Sequence, residues 1–290
     1  MPWLVTVTRC HRLLTVLSLL LFSGWSVAQT NVLGAVKPRA NGCPQDMVRV
    51  RGFCIDRYEV STEDRETKRT LSPYYPPLPG HIHRIFEVWQ IERFEWGSEM
   101  ARSLPLPEIP LIQQSSQFFP VFVSVANQVP QAYLSREVAK RICENSKKRL
   151  CSHEEWLTAC RGERGTAFPY GNDFVPGRCN VWRSVHPARV LHGNASMGHL
   201  DPRLNLLVEY PNDPLLHVTG QSKGCVSPWG SDGVYDMVGN LDEWVGDEPA
   251  LFVGGFYARN TSKGCESKVT NHGPTYFDYS TGTRCCTEAK

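Results

Sequence analysis

Ten cysteines behind an export leader constrain this chain more than any other feature. Of the 11 cysteines in its 290 residues, Cys10 lies before an apolar run, Leu13 to Gly24. Arg9, His11 and Arg12 precede that run, and Ser26-Val27-Ala28 follows it. A charged start, a short apolar stretch and a small-x-small site read as a secretory signal peptide over residues 1–28, cleaved after Ala28. The run of 12 residues falls short of the roughly 20 needed to cross a bilayer. The rival reading is an uncleaved N-terminal anchor. An even set of ten cysteines in an exported chain reads as disulfides, and so as a periplasmic or extracellular protein. Zinc is disfavoured, because the chain has no Cys-x-x-Cys and its cysteines and histidines lack finger-like spacing.

Charge narrows the partners. Removing Arg9 and Arg12 from 31 basic residues leaves 29 against 29 acidic ones. A neutral chain has no basic field for nucleic acid. With 41% hydrophobic residues it has enough apolar content for a core.

Residues 29–42 read as a flexible polar leader, and 43–290 as the folded domain. Alternation from Met47 to Val60 predicts strands. Residues 61–70 read as charged and solvated. Residues 71–118 read as an insertion, rich in proline and aromatics, with one short helix or strand near 84–96. Ser135 caps a predicted helix over 136–145, with Val138, Ala139 and Ile142 on one face. Ser152 and Glu155 form a predicted capping box for a helix over 153–161, with Trp156, Leu157 and Cys160 inward. Beyond Gly162 the reading is loops and short strands, such as 251–257. Two helices followed by so much irregular chain need staples, which disulfides supply.

Several phrases follow in one order: Gly52 to Val60, Lys148 to Trp156, Ala159-Cys160-Arg161-Gly162 and Phe168-Pro169-Tyr170-Gly171. Then come Cys179-Asn180-Val181-Trp182, Gly233 to Trp244, Gly254-Gly255 and Gly282 to Cys286. This order resembles the formylglycine-generating enzyme (sulfatase-modifying factor) family, most closely its cysteine-rich bacterial branch. The resemblance implies an α+β, C-type-lectin-like fold with little regular structure, two main helices and bound structural calcium. Trp156, Trp182 and Trp244 sit in these phrases and are expected in the core. Trp229, Tyr257, Tyr276, Phe277 and Tyr279 read as loop aromatics, either packed or lining a groove for peptide or sugar.

The turn Tyr235 to Glu243 holds carboxylates at 236, 242 and 243 around Gly239, and calcium takes six to eight oxygens from such a mixture. By the resemblance, Asp236 and Glu243 are side-chain ligands, and Gly239 and Leu241 carbonyl ligands. Asn180 and Val181 match the start of a second calcium site, whose later ligands fall in 183–220, where this chain departs and lengthens. The bland reading of the turn is carboxylates bonded to backbone.

The family's oxidation of a substrate cysteine uses copper(I) on two cysteines soon after the Gly-Gly phrase, since soft thiolates suit that ion. Here Arg259 stands at the first position and Gly264 at the second, one residue short of Cys265. Asp242 replaces the first tryptophan of the family's Gly-Asn-x-Trp-Glu-Trp phrase. Copper-dependent formylglycine generation is therefore not expected. Cys265, if free, is the candidate reactive thiol. His81, His83, His186, His192, His199 and His217 are irregularly spaced and read as packing or surface histidines. Asn194 and Asn260 open glycosylation sequons, meaningful in a eukaryotic source.

Ten cysteines allow on the order of 900 pairings. Cys43 and Cys54 flank a short extended segment that folds back as a hairpin. Joining Cys179 to Cys225 closes the stretch between the two calcium-like phrases. The resemblance pairs Cys143 with Cys285 and, off the usual spacing, Cys160 with Cys265. Cys151 and Cys286 remain. Two functions stay open: a calcium- and disulfide-stabilised module binding a protein, peptide or glycan, or an oxidoreductase acting on a protein cysteine or other thiol through a rearranged metal site. Metal content separates them.

Overall fold

The structure, a computed structural model, describes residues 42–290 apart from 96, 116 and 210. The expected signal peptide and nearly all of the expected polar leader lie outside the described residues.

Two four-stranded sheets organise the fold. In the first, Met47–Val50 pairs with Phe53–Asp56, which pairs with Cys285–Glu288 and so with Arg149–Leu150, all antiparallel. This seats the C-terminal strand between the first hairpin and the segment leading into the helix His153–Arg161. The second sheet runs Lys268–Val269, Phe252–Val253, Asp242–Trp244, Thr281–Thr283, with its last pair parallel. The strand expected over 251–257 is only Phe252–Val253. Beyond it Gly254 and Gly255 both take positive φ, which turns the chain out of the sheet.

Both capped helices form as read. Ser135 accepts from the Val138 amide at the start of Arg136–Asn145, and Ser152 and Glu155 bond reciprocally at the start of His153–Arg161. Trp156, Ala159 and Cys160 are buried on the second helix, with Leu157 packed at the core's edge.

Residues 61–64 differ from the solvated reading. Ser61–Asp64 is a strand paired with Pro120–Val123, and Ser61, Thr62 and Asp64 are buried. Asp64 tolerates burial because its carboxylate accepts from the Thr67 and Phe119 amides and the Thr67 hydroxyl. These two strands form the neck of the insertion. Within it the helix Pro79–Glu95 is longer than the short element expected. Pro79 suits a first helical turn, and Ile82 and Ile85, one turn apart, bury against the domain. A cavity of about 240 Å3 lies there, lined by residues including Ile82, His83, Phe86 and Ile109.

Five disulfides complete the frame: Cys43–Cys54, Cys143–Cys285, Cys151–Cys286, Cys160–Cys265 and Cys179–Cys225. They join the same cysteines that spacing and the family resemblance put together. Cys285 and Cys286 sit on one strand, where neighbouring side chains point to opposite faces. Cys285 therefore reaches the helix at Cys143, and Cys286 reaches Cys151 on the other side.

Candidate functional site

The phrase Tyr235 to Trp244 folds as a tight turn feeding a strand. Asp236, Gly239 and Asn240 all take positive φ. At Gly239 a Cβ would lie 2.2 Å from the Asn180 carbonyl, so only glycine admits this approach. Asn240 is the hub. Its Nδ2 donates to Glu59 Oε2 at 2.6 Å and to the His217 carbonyl, and its Oδ1 accepts from Asn180 Nδ2 and the His217 amide. Glu59 Oε1 accepts from the Leu241 amide at 3.0 Å. Sequence reasoning missed Glu59 as a member of this site, although it lies in the first of the ordered phrases.

Glu243 is held from the other side. Arg284 donates from Nη2 to its Oε1 at 2.6 Å and from Nε to its Oε2 at 2.7 Å, and Trp156 Nε1 donates to Oε2 at 2.7 Å. Arg284 also donates to the Asp56 and Tyr235 carbonyls. Glu243 and Arg284 are both buried, which makes this a desolvated, bidentate pair.

Three buried carboxylates, Glu59, Asp236 and Glu243, therefore share the field of one buried guanidinium. Burial pushes Asp236 up to about 7, and burial followed by repulsion from Asp236 and Glu243 pushes Glu59 well above the usual carboxylate range. Asp236 engages one oxygen, with the Gly220 amide at 2.6 Å. That surplus of negative charge fits a cation, as does the irregular turn with its carbonyls. Glu243 fits less well, because both of its oxygens already accept from Arg284 and Trp156. Among the described residues no three Asp, Glu, His or Cys side chains converge as a metal cluster. A calcium ion here would draw on Asp236 and the Gly239 and Leu241 carbonyls, with Glu243 contributing only by releasing a donor.

At the second expected site, Asn180 Nδ2 faces the Leu215 carbonyl at 2.9 Å, and its Oδ1 is buried without a donor. An orphaned buried oxygen is a feature a cation satisfies. Nearby Asp213 is engaged instead by Arg183 and by His217 Nε2 at 3.1 Å. Val181 packs its Cγ1 against Gly239.

The region matched to the family's copper centre contains no thiolate. Arg259 Nη1 lies 2.6 Å from Asp242 Oδ1, and its guanidinium is flanked by the rings of Phe256 and Phe252. Asp242 is fully buried, and burial pushes it up to about 7 despite that arginine. Gly264 has φ 54°, and a Cβ there would lie 2.3 Å from the Ala167 carbonyl. The position has no room for a cysteine. Cys265 is fully buried in its bridge to Cys160, so the candidate thiol is not free.

The histidines are dispersed. His81 stacks on Phe277 and His186 packs edge-on to Phe256 and Tyr279. His83 is exposed beside Glu87, and buried His192 bonds to Asp201. His199 donates from Nε2 to the Ala195 carbonyl, 2.8 Å away. His217 bonds Ser222 through Nδ1 and Asp213 through Nε2, both at 3.1 Å. This chain resembles a serine-nucleophile relay with the ring nitrogens exchanged, and its backbone is clamped to Asn240, which makes it a strut for the loop 213–222.

The loop aromatics Trp229, Tyr257, Phe277 and Tyr279 are packed, and Tyr276 is half-buried. Trp182 differs from its core expectation. It is 58% exposed, on a backbone at φ 54°.

The family model described as sulfatase-modifying factor enzyme 1-like domain matches residues 19–289. Over 127 residues, 42% of this chain, the sequence is 28% identical to inactive C-alpha-formylglycine-generating enzyme 2 of Bos taurus, covering 34% of that protein. The Mus musculus protein of that name is 27% identical over 124 residues, 41% of this chain and 32% of its own length. The matched stretch thus spans about a third of these curated relatives. Similar solved structures include CarF, with 13% identity, 82% and 87% of the two chains covered and a TM-score of 0.37. PvdO from Pseudomonas aeruginosa shows 15% identity, 81% and 80% coverage and a TM-score of 0.38.

Proposed function

The chain belongs to the sulfatase-modifying factor enzyme 1-like domain family, and on that premise we propose that it is an exported binding module that does not generate formylglycine. One observation carries the reading. The position where the family places its first copper thiolate holds Arg259, ion-paired with buried Asp242. A guanidinium repels a cuprous ion and offers it no lone pair. The crowding at Gly264 and the engagement of Cys265 add support, since neither second-ligand position supplies a thiolate. The similarity to proteins named as inactive formylglycine-generating enzymes points the same way.

On this reading the disulfides and calcium are structural. They hold a frame poor in regular elements, and the chain acts by presenting a surface to a protein, peptide or glycan outside the cytoplasm. Asp236 with the Gly239 and Leu241 carbonyls, and Asn180 with Val181, are the calcium positions.

The test is a conversion assay. Purified protein, with and without copper(I), is incubated with a sulfatase-type cysteine peptide, and the peptide mass is read. No formylglycine is expected in either arm. Turnover that persists after removal of contaminating enzyme, or stoichiometric copper or iron in the purified protein, would instead establish the oxidoreductase reading.

A further inference from the structure

Trp182 combines two features that the fold itself does not repay. A bulky residue at positive φ is a backbone outlier, and a tryptophan more than half exposed forfeits the burial that favours it elsewhere. Such outliers persist where the surroundings over-determine them, and they concentrate at functional positions. Here the surroundings do so. The Trp182 amide donates to the Arg259 carbonyl at 3.1 Å, and the Arg183 amide to the Tyr257 carbonyl at 2.9 Å. Two consecutive main-chain bonds thus lock Trp182 onto the segment that carries Arg259.

The indole does not stand alone. Phe174 lies 6.1 Å from it and 6.0 Å from Phe168, and Phe168 stacks on Tyr170 at 5.5 Å. The guanidinium of exposed Arg178 lies 5.6 Å from the Tyr170 ring centre, and exposed Arg164 donates to the Tyr170 carbonyl. The bridge Cys179–Cys225 anchors the segment between Arg178 and Trp182. Aromatic and arginine side chains together, on a rigid base, are the composition of an interface hot spot.

The charges of this face select a partner. Carboxylates of the neighbouring segments are mostly engaged already: Asp213 and Glu209 with Arg183, Glu266 with Arg161. Asp173 is exposed on the same loop. Arg164 and Arg178, which flank Tyr170, have no carboxylate partner among the described residues.

From this arrangement we infer that the face centred on Trp182 binds an acidic peptide segment of a partner protein, with an apolar side chain on Trp182 and Phe174 and carboxylates on Arg178 and Arg164. The inference rests on the binding-module reading and assigns its surface and ligand class.

The experiment uses the full mature chain with its disulfides intact, probed on a random-sequence peptide array and on a glycan array. Bound peptides should be enriched in Asp and Glu next to an aromatic or aliphatic residue. The best of them, fluorescein-labelled, should bind less tightly as salt rises. Trp182→Gly relieves the backbone constraint, so it should fold at least as well as the parent yet lose at least tenfold in affinity. Arg178→Glu should lose a comparable factor with an unchanged melting temperature. The inference is overturned if no peptides bind, if they lack acidic enrichment, if Trp182→Gly binds like the parent, or if only glycans bind. Formylglycine turnover is measured separately, so an inert face and an active oxidase are distinct results.

Discussion

Arg259 and Asp242, 17 positions apart, form a 2.6 Å ion pair in which one departure from the family pattern answers another. Arg259 stands where a copper thiolate is expected, and Asp242 where a tryptophan is expected. A buried carboxylate without a cation would be costly, and so would an arginine among Phe252 and Phe256 without a counter-charge. The two residues therefore act as one physical unit, a charge pair where the family resemblance leads one to expect a metal.

Removing one half should expose this dependence. Arg259→Ala leaves the Asp242 carboxyl buried and unpaired, and should cost about 1–3 kcal/mol in urea unfolding, since the arginine is itself partly solvated. The pair Arg259→Met with Asp242→Leu should recover part of that loss.

Arg284 should matter more. It is the buried cation among Glu59, Asp236 and Glu243, and it bonds Glu243 through two nitrogens. Arg284→Met should cost about 3–5 kcal/mol, because it leaves buried carboxylates without their counter-charge. Glu243→Gln, which keeps a hydrogen-bonding side chain against Arg284 and Trp156, should cost less.

Calcium should raise the melting temperature, and Asp236→Asn should remove that increment. A ligand at 100 times its Kd stabilises by about 2.7 kcal/mol, so titration monitored by thermal unfolding reads both occupancy and site. An equal calcium response in Asp236→Asn would exclude this turn.

The Cys151–Cys286 bridge closes a loop of 135 residues. Because Cys143–Cys285 already tethers the same two segments, replacing both cysteines with serine opens an effective loop of only about ten residues and should lower stability by about 2–3 kcal/mol on the chain-entropy argument. Peptide mapping without reductant should recover Cys265 joined to Cys160, and none of it as an alkylated thiol.

His217 should give stability a pH dependence of known sign. Burial lowers its pKa below the usual histidine value, outweighing Asp213. Its contribution is fully present above about pH 6.5 and is lost as pH falls through the depressed folded value, because the unfolded chain takes up the proton first. The stability difference between the parent and His217→Gln should therefore shift against the parent between pH 7.5 and 5.5.

The cysteine set, the ordered phrases and the Ser135 and Ser152 caps were legible in the chain itself. Each is a local pattern or a fixed order, so the two helices, the family and the bridges follow from spacing and resemblance. Ser61–Asp64 was not legible. Its charged composition reads as solvated, and only pairing with Pro120–Val123, across the insertion, buries it. Glu59 joins the turn at Asn240 and Leu241 from some 180 residues away, a contact no local pattern encodes. Trp182 lies in a phrase that elsewhere supplies core residues, yet it is exposed on a backbone held to 257 and 259 by two main-chain bonds. Sequence alone determined which residues this domain has to work with. Tertiary structure decided which of them meet, because burial, ion pairing and backbone direction depend on segments far apart in the chain.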